Sequence, residues 1–334
     1  MPMSADLDQR KLDLQQWVCT YLGRSVEGVS ASSDASFRRY FRFADDVASL
    51  VAMDAPPEHE DCRAFVKVAR LLTDAKLNVP AILAEDFDQG FLLLSDLGVR
   101  TWLDVLNEDN ADELFALAIA VLLQMQMINN QAALPHYDRA LLQRELDLFP
   151  DWYIQRHLGL EVDSSLRAQL DEVFELLIVN ALNQPQVFVH RDFMPRNLML
   201  SEPNPGVLDF QDAVWGPISY DPICLFKDAF VSWPEHKVQA WLQDYWQQAQ
   251  AMALPVPDSF QQFQFDCDLM GAHRHLKVIG IFARICHRDG KPRYLDDVPR
   301  FFEYLNTVIE RQPKLSALGE LLMDIERRSQ EALL

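Results

Sequence analysis

The chain has 334 residues, 49% of them hydrophobic and 24% charged, with only 11 glycines, which excludes a collagen-like or largely disordered protein. Fifty acidic against thirty basic side chains give a formal net charge of -20, so the molecule as a whole repels phosphate backbones and anionic lipid, and neither nucleic acid nor a membrane is an expected partner. The length suggests about two domains or lobes around a substantial core. The first residues carry acids and no apolar core of a signal peptide. The longest stretch free of polar residues, 114–123, falls far short of the ~18 needed to cross a bilayer. Five scattered cysteines without a CxxC pair point to a reduced, cytoplasmic protein.

Apolar residues at Leu7, Leu12, Leu14, Trp17, Val18 and Leu22 predict an amphipathic first helix. The small polar run 30–36 reads as a turn, and the near-alternating segment 37–43 and the segment 49–53 read as strands of an antiparallel meander. Pro56 and Pro57, followed by Glu58 and Glu60, predict a helix start with acids at its positive end, the helix running to about Asn78. Segments 79–85 and 91–94 predict two more strands, the second ending in Ser95-Asp96-Leu97-Gly98. From Thr101 long helical patterns take over, at 101–130, 137–157, 163–181, 236–252, 259–285 and 297–332. One short segment of different character, 187–221, interrupts them with small strands at 187–189, 198–200 and 207–208. The expected organisation is α+β: a small N-terminal antiparallel-sheet lobe at 1–95, a hinge at 96–100, and a mostly helical lobe at 101–334. A cleft between two such lobes is a natural place for a ligand.

The inserted segment carries the most specific signal. His190-Arg191-Asp192, with Asn197 five residues after the aspartate, reproduces the kinase catalytic loop H-R-D-x-x-x-x-N, and Asp209-Phe210 follows where a metal-binding Asp-Phe element would stand. Phosphoryl transfer needs a carboxylate to orient the attacking hydroxyl and accept its proton, which suits Asp192. It also needs oxygen ligands for Mg²⁺, which Asn197 and Asp209 offer. Turn-capping alone would use the same residue types but does not explain their joint spacing.

These residues, with Asp209-Phe-Gln-Asp212, Gly216-Pro217 and Tyr220-Asp221-Pro222, resemble the aminoglycoside phosphotransferase superfamily of kinase-like small-molecule phosphotransferases. Segments 35–42, 53–58, 92–98 and 274–277 bring a closer resemblance to the bacterial cell-wall-recycling kinases that phosphorylate the anomeric hydroxyl of N-acetylmuramate and N-acetylglucosamine. The resemblance spans roughly residues 10–325 and implies a bilobal protein-kinase-like fold, an amino-sugar acceptor, and ATP and Mg²⁺ as cofactors; a monomer is the expected state. The resemblance implies that Asp192 is the catalytic base, that Asn197 and Asp209 hold the metal, that Asp221 holds the catalytic loop with His190 in support, and that Asp212 is either a supporting residue or a further metal group. Nucleotide contacts are expected at Ser33, Ser36, Ser95, Asp96 and Leu97, with the 95–98 backbone receiving the adenine edge. Two features depart from the wider kinase pattern: the glycine triplet over the phosphates is missing, and Met53 stands where the phosphate-binding lysine belongs. Arg38 and Arg42 are the candidate replacement cations, with Glu58 or Glu60 as an acidic partner for an arginine.

On the acceptor side, residues 270–300 hold seven cations and three acids, and Arg274, Lys277, Arg284 and Arg288 recur near helical spacing. A shared basic face would suit a carboxylate-bearing sugar; a solvated helix face is the alternative. Arg144 and Glu145 resemble the family's sugar-side segment. An aminoglycoside or amino-alcohol kinase of the same fold, and an inert nucleotide-binding regulator, are the competing functions.

Overall fold

The computed structural model describes residues 4–32, 38–44 and 49–332, so Ser33 and Ser36 lie outside the described residues. The chain divides into two compact units, Met1–Glu108 with Pro195–Asp212, and Asp109–Met194 with Ala213–Leu334. The segment 195–212, expected within the helical region, groups with the N-terminal residues.

The first unit is built on an antiparallel sheet. Strands β1 (Gly28–Ser32), β2 (Arg39–Ala44), β3 (Ser49–Asp54), β4 (Ile82–Asp86) and β5 (Phe91–Ser95) lie in the order β1-β2-β3-β5-β4. Strand alternation puts Phe41, Phe43, Ala52, Phe91 and Leu93 on one face, where they bury against Leu14 and Val18 of helix α1 (Ser4–Leu22). Arg42, Val51 and Met53 point to the other face. Asp54 ties the sheet to α1. Its buried carboxylate accepts from Nε of Arg10 and from Nε of Arg39, each at 3.0 Å, and Arg39 is its register partner across β2 and β3. Gly90 turns the β4–β5 hairpin at φ +72°, where a Cβ would come within 1.9 Å of the Ala55 carbonyl oxygen.

Helix α2 (Cys62–Asp74) begins later than expected. Asp61 is its N-cap, accepting from the Arg63 N–H at 2.9 Å, while residues 56–60 form a turn on the Pro56 carbonyl. Glu58 and Glu60 therefore precede the helix rather than occupying its first turn. The strand β1 falls where a turn is expected, because the Gly28–Ser32 backbone finds β2 to pair with. A ribbon of β7 (Leu198–Met199) and β8 (Gly206–Val207) completes this unit, held by Val207 N–H on the Asn78 carbonyl at 2.8 Å and Leu200 N–H on the Arg100 carbonyl at 2.9 Å.

The second unit is helical: α3 (Ala111–Gln126), α4 (Arg139–Leu146), α5 (Ser164–Asn183), α6 (Tyr220–Phe226), α7 (Glu235–Ala251), α8 (Phe260–Asp289), α9 (Val298–Arg311) and α10 (Ser316–Glu331). Within it β6 (Gln186–Val189) pairs with β9 (Val214–Pro217), antiparallel. The expected helix over 137–157 is two pieces, α4 and a π-helical stretch, Phe149–His157. Pro150 has no N–H to continue the α ladder, and the wider winding absorbs the gap. Likewise the helix expected from 101 becomes a single 3₁₀ turn, Trp102–Asp104, before α3, with polar residues 107–110 between them. Helix α8 is buried along most of its length and packs against the π-helical stretch, α9, α5 and α6.

Candidate active site

In the helical unit, β6 delivers the chain into His190, which is fully buried. Asp221, also fully buried in the first turn of α6, accepts the backbone N–H of His190 at 2.7 Å and of Arg191 at 3.0 Å. Burial pushes the Asp221 carboxyl up to about 7, against the opposing pull of those two N–H groups. Arg191 takes φ +76°, a conformation that costs a non-glycine residue on the order of 1–3 kcal/mol and recurs at functional sites. The backbone N–H of Asp192 donates to His190 Nδ1 at 3.2 Å, which leaves a neutral His190 with its proton on Nε2. The Asp192 side chain is half-buried.

The Arg191 guanidinium turns inward onto Glu145 of α4. Glu145 also accepts from Tyr137 and pairs with Lys277 Nζ of α8 at 3.0 Å, while Lys277 donates to the Tyr220 hydroxyl at 3.0 Å. Burial alone would raise the Glu145 carboxyl, yet Lys277 and Arg191 hold it down to about 2. Arg274, also buried, donates to the Lys227 carbonyl at 3.2 Å. Three residues expected at the acceptor (Glu145, Arg274 and Lys277) are thus engaged inside this unit. Arg144 is exposed, and Arg284 is half-buried, its Nε without a hydrogen-bond partner among the described residues. Arg288 and Arg300 bond to Asp289 and Asp297.

In the sheet unit, Asn197 Nδ2 lies 3.4 Å from Asp209 Oδ2, and Gln211 Nε2 donates to Asp209 Oδ1 at 2.8 Å. Asp209 has φ +63° and is exposed, whereas the adjacent Phe210 is buried, its ring 4.8 Å from that of Phe65 on α2. A carboxylate and a carboxamide oxygen are hard donors, the set that Mg²⁺ prefers, so these two residues fit that ion. Asp212 is exposed. Arg42 binds Asp96 at 2.7 and 3.1 Å and the Gly98 carbonyl at 2.7 Å, fixing the segment after β5. Burial works against the Asp96 charge, but hydrogen bonds from Arg42 and Ser49 bring its pKa below the usual carboxylate range. Ser95 Oγ accepts from the Ala81 N–H at 2.8 Å. Leu97 is half-buried. Met53 is fully buried in β3, and the expected arginine–glutamate pair forms, Arg38 binding Glu60 at 2.7 Å. Sequence reasoning gives no role of its own to Tyr137 or Tyr220. Tyr220 adjoins Asp221 in the Tyr-Asp-Pro motif, while nothing in the pattern around Tyr137 marks it.

A profile of the phosphotransferase enzyme family matches residues 27–263, well over half of the chain. The chain belongs to that family. A protein of Pseudomonas aeruginosa named N-acetylmuramate/N-acetylglucosamine kinase is 61% identical over 300 residues, 90% of this phosphotransferase and 89% of the relative. One of the same name from Neisseria meningitidis is 42% identical over 323 residues, 95% and 96% of the two chains. The bilobal fold is shared with an ADP-bound aminoglycoside phosphotransferase (TM-score 0.61, 14% identity, 89% of this chain and 98% of that one). It is shared too with the choline kinase of Streptococcus pneumoniae (TM-score 0.63, 12% identity, 90% and 99%).

Proposed function

We propose that this phosphotransferase is an ATP-dependent sugar kinase that phosphorylates the anomeric hydroxyl of N-acetylmuramate and N-acetylglucosamine in the recycling of cell-wall sugars. The observation that carries this is the 61% identity to a kinase so named, across nine-tenths of both chains. The Asp192 carboxylate orients the C1 hydroxyl and accepts its proton as the oxygen bonds to the γ-phosphorus. The bond from that phosphorus to the β,γ-bridging oxygen breaks, and ADP leaves with the electron pair. Asn197 and Asp209 would hold Mg²⁺, which when bound offsets the charge of the β- and γ-phosphates. Asp221, through its two backbone contacts, holds the loop that carries Asp192. Residues 95–97 are assigned to the adenine, braced by Arg42 on Asp96. With Met53 in the lysine's place, Arg38 anchored on Glu60 is the cation assigned to the phosphates.

For the acceptor, Arg284 is the cation best suited to the lactyl carboxylate of N-acetylmuramate. Burial and the neighbouring Arg288 press its pKa down, so an arriving anion would relieve both. Arg144, exposed on α4, is a second acceptor contact. The test is the product: phosphorus NMR of the sugar after turnover should show coupling to the anomeric proton, and coupling to any other sugar proton would refute C1 transfer. In the same assay Arg284→Gln should raise KM for N-acetylmuramate by about tenfold and leave that for N-acetylglucosamine within twofold. Equal effects on both sugars would remove Arg284 from the carboxylate.

A further inference from the structure

A closed circuit of contacts runs through His190 and Arg191, the residues before Asp192, within the helical unit. The Asp221 carboxylate holds the backbone of His190 and Arg191. The Arg191 side chain continues to Glu145, Glu145 to Lys277, and Lys277 to the hydroxyl of Tyr220, the residue preceding Asp221 in the chain. Aromatic contacts reinforce the circuit. The Arg191 guanidinium lies 5.8 Å from the Tyr137 ring centroid, Lys277 Nζ 5.6 Å from that of Tyr220, and the two tyrosine rings meet edge to face at 5.6 Å.

We propose that Glu145, Lys277 and Tyr220 are positioning residues for Asp192, closing a ring that locks Arg191 in its left-handed conformation, and are not contacts to the acceptor sugar. The side chains of Glu145 and Lys277 are 6% and 9% exposed. Both Glu145 oxygens are taken, Oε1 by Arg191 and Lys277 and Oε2 by Tyr137, so a sugar hydroxyl would have to displace a charged partner from a buried carboxylate. A left-handed backbone at a non-glycine residue persists only where its surroundings over-determine it, and here both the backbone and the side chain of Arg191 are held. Releasing the side chain frees the residue next to the base. That change should appear in turnover rather than in substrate affinity.

This inference rests on Asp192 being the base, and the experiment separates the two claims. In the full chain, Lys277→Met should lower kcat about 30-fold, with KM for ATP and for N-acetylglucosamine each within about threefold of wild type, and Lys277→Arg should recover most of kcat. A sugar KM raised tenfold at unchanged kcat would make Lys277 a substrate contact and overturn the proposal, as would wild-type kinetics. Should Lys277→Met fail to fold, Tyr220→Phe removes only the hydroxyl that Lys277 donates to. It should lower kcat about fivefold at unchanged KM, and wild-type kcat there would overturn the proposal. A fully active Asp192→Asn would overturn the functional assignment and this inference together, whereas an inactive Asp192→Asn beside a wild-type Lys277→Met would overturn the positioning role alone.

Discussion

His273 shows how one buried side chain ties the stability of this phosphotransferase to pH. It is fully buried on α8, and since the Leu142 carbonyl 3.2 Å away can only accept, Nε2 carries the proton. Burial lowers its pKa to about 4, although Glu145 pulls the other way. In the unfolded chain the group titrates near ~6.5. Between those values the unfolded state binds the proton and the folded state does not, so this contribution is complete above ~6.5 and is lost as the pH falls toward 4, by at most about 1.4 kcal/mol per unit. His273→Gln keeps an amide donor for Leu142 and removes the titration. The urea midpoint of wild type should fall more between pH 7 and pH 5 than that of the variant, and equal falls would contradict the assignment. Asp221 titrates in both proteins and cancels in the comparison. Single residues were unequally legible in the sequence: the spacing of Asp192, Asn197 and Asp209 along the chain is what nominates them for the proposed site. The inward roles of Glu145 and Lys277 arise from packing between α4 and α8, which no local pattern records.

Among the elements, α8 and its neighbour set a second test. Gly280 faces the start of the π-helical stretch: a Cβ there would lie 2.4 Å from the Leu148 carbonyl carbon and 2.5 Å from its oxygen. Helix propensity alone favours alanine over glycine by about 1 kcal/mol. The overlap is with backbone, which cannot swing aside, and overpacking of this kind typically costs about 1–3 kcal/mol. Gly280→Ala should therefore destabilise by up to about 2 kcal/mol in chemical denaturation, and a stabilised variant would mean that the two segments part easily. The long helices and the central strands were readable because apolar periodicity persists over many residues. Strand β9 was not, since Val-Trp-Gly-Pro carries a turn signal and becomes a strand only by pairing with β6. The late start of α2 reflects Asp61 outcompeting Glu58 and Glu60 for the cap.

At the scale of the whole molecule, the charge of -20 and the basic run at 270–300 invite opposite guesses about the acceptor. The structure dissolves much of the basic run: Arg274 and Lys277 are buried on internal partners, and Arg288 and Arg300 bind neighbouring aspartates. The basic run is therefore a weaker guide to the acceptor than its count of cations suggests, and Arg284 carries the acidic-sugar reading only as part of the proposal above. The central claim is an amino-sugar acceptor. Measuring ATP consumption in parallel with N-acetylmuramate, N-acetylglucosamine, kanamycin and choline tests it most directly. Turnover with the two N-acetylated sugars, at least about a hundredfold above that with kanamycin or choline, is the predicted result, and turnover confined to a cationic acceptor would contradict it.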